Sequence, residues 1–274
     1  MCGRYASSRS PEDLVGLFDV HTWEPRETLA PDYNVAPTKD VFAVLDRPLK
    51  GEERTEPVRQ LRVLRWGLVP SWAKSPELGV KMINARAETA HEKAAFRRAF
   101  TSRRCLLPAD GYFEWVTGKG ELDLEQRGRR KRARKQPYFV TPADGSVMAL
   151  AGLYEFWRDG TRPEGDPRAW WVTCTVLTTE AETAALPDAG AHGADGPRSL
   201  ADIHPRMPIA LPPERWDAWL DPARTDEGEL RDLLSGLPTG RHRAYPVSTE
   251  VSNVRNNSPQ LLRELAEPEE KTLF

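Results

Sequence analysis

The sequence predicts a β-rich α+β domain with a curled or barrel-like, mainly antiparallel sheet flanked by short helices. Short runs rich in β-branched and aromatic residues, bounded by Gly and Pro, recur along the 274 residues. These runs outnumber the helical patterns and do not alternate regularly with them, which disfavours a doubly wound fold. A chain of this length lies near the upper limit for one hydrophobic core, so a single domain over 2–274 is expected.

The predicted strands share this β-branched and aromatic composition. They cover 41–45, 61–66, 105–107, 112–116, 138–141, 147–157 and 170–178. Helices are predicted over 11–18 and 259–267, where Ser-Pro supplies an N-cap followed by proline at the first helical position. Two further helical patterns cover 88–103 and 213–220.

Two stretches have the composition of inserted loops. The segment 118–136 is strongly basic and almost lacks apolar residues, which predicts a surface insert. A solvated excursion and a DNA-contacting loop explain that charge equally well. The segment 187–198 is rich in Gly, Ala and Asp and is expected to form a flexible loop.

The composition excludes several classes of protein. The 39 Lys and Arg nearly balance the 41 Asp and Glu, so the overall charge gives no argument for a polyanionic partner. Cys2, Cys105 and Cys174 are widely spaced and lack nearby metal-ligand partners, which argues against a disulfide scaffold or a zinc site. We expect a cytoplasmic location and no membrane partner, because neither a secretory signal nor a membrane-spanning run is evident. No metal and no cofactor are expected either, since chemistry at Cys2 needs only an amine, a thiol and groups that transfer protons.

Cys2 is the sharpest chemical feature of the sequence. Removal of Met1 would leave an α-amine and a thiol on adjacent carbons, which together form a 1,2-aminothiol. Such an amine, with a pKa of roughly 7.7 to 8.0, is partly unprotonated at neutral pH and condenses with aldehydes. The neighbouring thiol then closes a five-membered thiazolidine ring. A cysteine near a terminus is more often inert, so position alone is weak support.

Polar residues next appear in the segment Asn84-Ala85-Arg86. Asn84 can donate and accept hydrogen bonds, and the planar guanidinium of Arg86 suits phosphate. The alternative is that Asn84 caps a turn and that Arg86 pairs with Glu88 on the surface.

Glu114 lies between aromatic residues in a predicted strand. Alternation along the strand puts Tyr112 and Glu114 on one face and Phe113 and Trp115 on the other. A carboxylate among aromatic rings loses solvation, which suits it to proton transfer. A solvent-facing glutamate on the outer face of the strand is the alternative.

His204 stands in a segment whose backbone two prolines restrict, His204-Pro205-Arg206-Met207-Pro208. Rigid presentation suits a side chain that moves protons near neutral pH. A turn histidine satisfied by the backbone is the alternative.

These segments together resemble one family. They are Met1-Cys2-Gly3-Arg4, 33–38, 66–72, Asn84-Ala85-Arg86, 111–115 and 204–208. Their order and identity are similar to those of the SOS response-associated peptidase (SRAP) family, and 244–248 resembles its closing strand. The long segments before Pro137 and before His204 depart from the compact spacing of the family.

The resemblance implies a single SRAP domain that binds single-stranded DNA and traps abasic sites as a thiazolidine cross-link through Cys2, without a cofactor. It implies that Asn84 orients the opened sugar, that Glu114 assists proton transfer during ring opening, and that His204 assists cross-link formation and reversal. The implied DNA contacts are Arg4, Arg86 and Arg206 with phosphates, and the aromatic surfaces of Trp66, Trp72 and Trp115. A monomer is expected.

Two other functions stay open at this point. An N-terminal cysteine with nearby Asn, Glu and His also suits a peptidase or amidohydrolase, whose minimal activity would be self-removal of Met1. A nucleic-acid-binding module that uses the basic segment and exposed tryptophans is the non-enzymatic reading.

Overall fold

A computed structural model describes residues 2–49, 56–117, 135–187 and 196–265. Most of the basic segment 118–136 and of the segment 187–198 therefore lies outside the described residues, and their predicted loop character stays a prediction. No helix in the described part of the chain is long and apolar enough to cross a membrane.

Strands dominate the secondary structure. They are β1 (Tyr5–Ser7), β2 (Thr22–Trp23), β3 (Asp32–Val35), β4 (Asp40–Arg47), β5 (Val58–Trp66), β6 (Asn84–Arg86), β7 (Arg104–Ala109), β8 (Gly111–Thr117), β9 (Lys135–Pro142), β10 (Met148–Arg158), β11 (Trp170–Glu180), β12 (Arg206–Pro208) and β13 (His242–Pro246). The α-helices are short: α1 (Pro11–Leu17), α2 (Ala87–Ala90), α3 (Arg97–Ser102), α4 (Leu200–Ile203), α5 (Trp216–Leu220) and α6 (Glu227–Leu233). Short 3-10 helices cover Pro76–Lys81, Pro167–Ala169, Pro213–Arg215, Thr249–Ser252 and Pro259–Leu262.

Five strands close into a barrel. The order β5–β4–β7–β10–β11 is antiparallel throughout, and β11 returns to β5 through a parallel pairing of Thr173 with Arg65 and Cys174 with Trp66. Closure leaves these strands without a free edge. The predicted β-rich α+β fold with a barrel-like, mainly antiparallel sheet is confirmed.

Residues of β4 show how the barrel is packed. Val41, Ala43 and Leu45 belong to the apolar cluster that also contains Cys2. Phe42 and Val44 face the other way, into a second cluster with Leu14 and Phe18 of the α1 region. A strand covered on both faces has a continuous apolar sequence, as β4 does.

A second sheet, in the order β13–β9–β8–β1–β3, holds the start of the chain against β8. Tyr112 packs into the cluster of Cys2, whereas Phe113 packs with Phe139 and Tyr245 on the opposite face. The predicted alternation of side chains along β8 is therefore confirmed. This sheet places the N-terminal segment inside the molecule rather than at a loose end.

The helix predictions were correct in part. Helix α1 begins as expected, since Ser10 Oγ accepts a hydrogen bond of 3.1 Å from the Asp13 N–H and Pro11 is the first helical residue. The helix predicted over 259–267 was wrong, because only the 3-10 turn Pro259–Leu262 forms before the Leu265 N–H pairs with the Pro246 carbonyl.

The single helix predicted over 88–103 was also wrong, since α2 and α3 are separated by turns. Ala90 and Phe96 both enter the same apolar cluster. Positions six residues apart point to different faces of a straight helix, so the break lets both be buried. Helix α6 was not predicted, although Asp226 caps it by accepting a hydrogen bond of 2.9 Å from the Glu229 N–H.

Candidate functional site

The pairing of β1 with β8 brings Cys2 to Glu114. Tyr5 pairs with Tyr112, and the Phe113 N–H donates to the Arg4 carbonyl at 2.8 Å. Continuing this antiparallel register puts the residues before Arg4 beside Glu114. Cys2 is 0% exposed and Glu114 is 6% exposed. Burial, and secondarily the Glu114 carboxylate, raise the pKa of the Cys2 thiol far above its ordinary value.

Asn84 holds the backbone of Cys2. Strand β6 runs parallel to β11, with Asn84 beside Val176. Its Nδ2 donates to the Cys2 carbonyl at 2.8 Å. Its Oδ1 is buried and has no hydrogen-bond partner among the described residues. That oxygen is therefore an acceptor available for a donor entering the site.

His204 follows α4, which a capping box fixes at its start. Ser199 Oγ accepts from the Asp202 N–H at 3.3 Å, and the Asp202 carboxylate accepts from the Ser199 N–H at 2.9 Å. Helix α4 packs against β8, and its Leu200 and Ile203 belong to the cluster of Cys2. The segment that ends in His204 is therefore brought to the same end of the molecule as Cys2 and Glu114.

Arg206 is committed to an ion pair. Its two terminal nitrogens donate to the Glu88 carboxylate at 2.7 and 2.8 Å, and Nη2 also donates to the Thr178 carbonyl at 2.7 Å. The side chain is only 14% exposed. The suggested pairing of Glu88 with Arg86 was wrong, because Glu88 pairs with Arg206. The Arg86 side chain is exposed and has no hydrogen bond or ion pair to the described residues, so it is the more available cation for phosphate.

Arg4 is held by a residue that sequence reasoning did not single out. Its Nη1 donates to Asn34 Oδ1 at 2.7 Å and to the Val251 carbonyl at 2.9 Å. Burial lowers the pKa of the Arg4 guanidinium, against the opposing charge of Asp32. Asn34 itself is 0% exposed. Arg4 is thus half-buried and fixed in orientation beside Trp115, whose ring centroid lies 5.8 Å from the guanidinium carbon.

The tryptophans divide into buried and accessible ones. The proposed DNA contact of Trp66 is corrected, because its side chain is 0% exposed, packs edge-on against Tyr5 and donates from Nε1 to the Ile83 carbonyl. Trp66 is a core residue. Trp115 is partly exposed, and its Nε1 donates to Ser252 Oγ at 3.0 Å.

Trp72 is 59% exposed and lies in a shallow depression of about 470 Å³. Lys74 and Lys81 line the same depression, together with one carboxylate, Glu77. An aromatic face flanked by two cations matches the chemistry of a nucleotide, which combines a base and a phosphate. Trp72 thus has the accessibility that its predicted role requires.

A groove lies beside the Glu88–Arg206 pair, and its lining does not include Cys2. It has a volume of about 1000 Å³, and its lining includes Glu88, Glu180, Glu182 and Asp232. Its acidic character disfavours a nucleic-acid strand along this side.

Two residues were missed as parts of the site. Asn34 lies in the family-like segment 33–38, where the sequence pattern predicts no role for it. For Glu88 the sequence predicts only a local pairing with Arg86. Their contacts join positions 30 and 118 residues apart, and only the folded chain reveals such pairs. No group of three or more His, Cys, Asp or Glu side chains suited to a metal occurs within the described ranges.

Comparison with known proteins finds relatives over nearly the whole chain. The family described as SOS response associated peptidase (SRAP) matches residues 1–254. Abasic site processing protein YoqW of Bacillus subtilis (strain 168) is 35% identical over 262 residues, which cover 96% of this chain and 99% of that protein. Abasic site processing protein YedK of Escherichia coli (strain K12) is 30% identical and also covers 96% of this chain and 99% of its own length.

More distant relatives extend the comparison. Abasic site processing protein HMCES of Xenopus tropicalis is 26% identical over 295 residues, which are 96% of this chain and 78% of that protein. A crystal structure of a protein from Bacteroides thetaiotaomicron superposes with a TM-score of 0.71 over 97% of this chain and 100% of that one, at 23% identity. The last comparison concerns the fold alone. The family match and the full-length relatives establish that this chain belongs to the SRAP family.

Proposed function

We propose that this protein, after removal of Met1, processes abasic sites in single-stranded DNA by forming a covalent thiazolidine cross-link through Cys2. The observation that carries the proposal is the surroundings of Cys2. Its carbonyl is held by Asn84, its thiol is buried beside Glu114, and α4 brings His204 to the same end of the molecule. Relatives that match over their full length are named abasic site processing proteins.

The order of the chemical steps follows from the chemistry of an aminothiol. The free α-amine, which is partly unprotonated at neutral pH, is the first nucleophile. The Cys2 thiol, whose pKa burial raises while Met1 is in place, acts second. Its nitrogen attacks the aldehyde carbon of the ring-opened sugar, and loss of one water gives an imine.

The thiol completes the cross-link. Its sulfur bonds to the imine carbon, the C=N electron pair moves to nitrogen, and the thiol proton is transferred to that nitrogen through a neighbouring base. Aldehyde and aminothiol thus give thiazolidine and one water, with no oxidation or reduction. We assign the relay of this proton to Glu114, and proton transfer at the imine and in reversal to His204.

Asn84 and the cations supply positioning. The uncommitted Oδ1 of Asn84 is an acceptor for the Cys2 amine or for a hydroxyl of the opened sugar. Arg86 is exposed for a flanking phosphate, and Trp72 offers a stacking surface worth roughly 1 to 3 kcal/mol for a base. Arg4, held by Asn34, and Trp115 complete the proposed DNA contacts.

The proposal is tested by incubating wild-type protein, Cys2→Ala and Cys2→Ser with a single-stranded oligonucleotide that carries one abasic site. All three residues are small, so each variant exposes an amine once Met1 is removed. We expect a denaturation-resistant adduct without borohydride in the wild type alone. The two variants should give an adduct only when borohydride traps the imine. A stable, borohydride-independent adduct of Cys2→Ala at the wild-type level would refute the thiazolidine mechanism.

The alternative peptidase function predicts a different result. In that case the protein purified with Met1 retained would release it unaided, and the release would require Cys2 and Glu114. A protein that removes its own Met1 and forms no adduct with abasic DNA would favour the peptidase.

A further inference from the structure

The backbone of Arg206 makes an unusual pair of contacts with His204. The Arg206 N–H donates to His204 Nδ1 at 3.0 Å, and the Arg206 carbonyl oxygen lies 3.0 Å from the same nitrogen. A neutral ring accepts at Nδ1 from the N–H, whereas a ring protonated at Nδ1 donates to the carbonyl. One residue therefore supplies a partner for Nδ1 in both protonation states.

This arrangement depends on where the Arg206 backbone lies, and β12 is a short strand of three residues, Arg206–Pro208. The Arg206 N–H is already donated to His204 Nδ1. Strand β12 ends at Pro208, which has no N–H to donate to the ladder. The Ala181 N–H donates to the Pro205 carbonyl at 3.0 Å just before the strand. The side chain of Arg206 adds a second anchor at the start of the strand, through the Thr178 carbonyl of β11 and the carboxylate of Glu88 in α2.

We propose that Glu88 is a positioning residue for His204, acting through Arg206. The bidentate ion pair ties α2 to the first residue of β12 and so holds in place the N–H and the carbonyl that contact His204 Nδ1. Arg206 then mainly holds the start of β12 in place, and phosphate binding depends more on Arg86. The inference rests on the proposed function for its kinetic test and on the structure alone for its spectroscopic test.

Burial and exposure favour positioning over competition with phosphate. Arg206 is 14% exposed, and three of its donated hydrogen bonds go to well-defined protein acceptors. Its Nε is buried and has no partner among the described residues. A phosphate could reach the terminal nitrogens only by displacing Glu88 from a bidentate pair, which is the strongest geometry that arginine forms with a carboxylate.

The kinetic test compares Glu88→Ala, Glu88→Gln and the control Glu180→Ala. Glu180 pairs across the strands with Arg206 and is exposed, and it has no ion pair with Arg206. Removing it takes away the same charge nearby without releasing the guanidinium. The rate of cross-linking is measured at saturating abasic oligonucleotide over a range of pH. Affinity is measured with an oligonucleotide that carries a tetrahydrofuran abasic analogue, which cannot form an imine.

We expect Glu88→Ala to slow cross-linking about tenfold, within the roughly 100-fold loss that misplacement of a reacting group causes, and to change the pH profile. The affinity of Glu88→Ala for the analogue should stay within about twofold of the wild-type value. Glu88→Gln, which keeps one acceptor for Arg206, should recover part of the rate, and Glu180→Ala should match the wild type. In a His204→Ala background, adding Glu88→Ala should slow cross-linking by less than a further factor of about three, because both substitutions remove the same function.

The inference is overturned if Glu88→Ala and His204→Ala are additive, if the only change is in affinity, or if Glu88→Ala binds the analogue more tightly. A spectroscopic test separates this failure from failure of the proposed function. The ¹⁵N shifts of the His204 ring nitrogens report which one carries the proton, and His204→Ala assigns them. Glu88→Ala should move both signals away from their wild-type positions; unchanged signals would refute the inference even if no adduct ever forms.

Discussion

The side-chain amide of Asn84 donates a hydrogen bond of 2.8 Å to the carbonyl of Cys2, while its Oδ1 stays buried without a partner among the described residues. One side chain thus fixes the reactive residue and offers an acceptor beside it. This relationship makes Asn84 a stringent test of the site.

Asn84→Asp keeps the shape of the side chain but removes the N–H donor. Facing the Cys2 carbonyl with a carboxylate replaces attraction by repulsion, so we expect cross-linking to slow by about tenfold to 100-fold. The free energy of unfolding should fall by about 1 to 2 kcal/mol. Rates from gel-resolved adducts, together with thermal melts, check both figures. A variant that cross-links at the wild-type rate would show that the hydrogen bond to Cys2 has no part in the reaction.

Glu114→Gln should have opposite effects on two reactions of Cys2. Burial is the main reason that the thiol pKa is raised, and the Glu114 carboxylate is the second. Removing the carboxylate lowers the thiol pKa, so a larger fraction of thiolate exists at any pH below that pKa. Alkylation by iodoacetamide, followed by mass spectrometry of the N-terminal peptide, should be faster than in the wild type.

Cross-linking by Glu114→Gln should instead be slower by about 100-fold, the lower end of what general acid–base catalysis contributes. Faster alkylation with unimpaired cross-linking would mean that Glu114 tunes the thiol but relays no proton. Slower alkylation would contradict the electrostatic account of the thiol.

Arg86→Ala tests the phosphate contact. Arg86 is exposed and unpaired among the described residues, so its removal should weaken binding of single-stranded DNA and reduce the slope of log affinity against log salt by about one. The difference from wild type should therefore shrink as salt rises. Fluorescence anisotropy at several salt concentrations measures it. An unchanged slope would place Arg86 outside the DNA path.

Asn34→Ala tests the anchor of Arg4. The Asn34 amide donates to the carbonyls of Val251, Asn253 and Asn256, and its Oδ1 accepts from Arg4. Truncation leaves these groups without a buried partner. The free energy of unfolding, measured by urea titration, should therefore fall by about 2 to 4 kcal/mol.

Asn257→Ala is the matched control for Asn34→Ala. Asn257 is exposed and forms hydrogen bonds with the backbone of Tyr33 and Pro31. Its substitution should therefore lower the free energy of unfolding by less than about 1 kcal/mol. Equal losses in the two variants would show that burial of Asn34 adds nothing.

Local pattern predicted much of the fold. The strands around 41–45, 112–116 and 170–178 formed where β-branched and aromatic residues cluster, and alternation along β8 was correct, because these signals lie within a few residues of one another. The two failed helices are different. Residues 88–103 have helical composition throughout, but burial of both Ala90 and Phe96 required a break that only tertiary packing imposes.

The candidate site was predictable from motifs only as a set of residue types. Nothing local indicates that Glu88 would select Arg206 across 118 residues rather than Arg86, or that Asn34 would reach Val251 across 217. Trp66 was misassigned for the same reason, since a tryptophan beside a turn has the same sequence signal whether it is buried or exposed. Registers of distant strands decide these contacts.

The most direct measurement of the central claim is the intact mass of the purified protein before and after incubation with a single-stranded oligonucleotide that contains one abasic site. The account predicts a protein that lacks Met1, and an adduct whose mass equals protein plus oligonucleotide minus one water, with the modification on Cys2 after digestion. A protein that lacks Met1 and gives no adduct, or an adduct on any other residue, would contradict it.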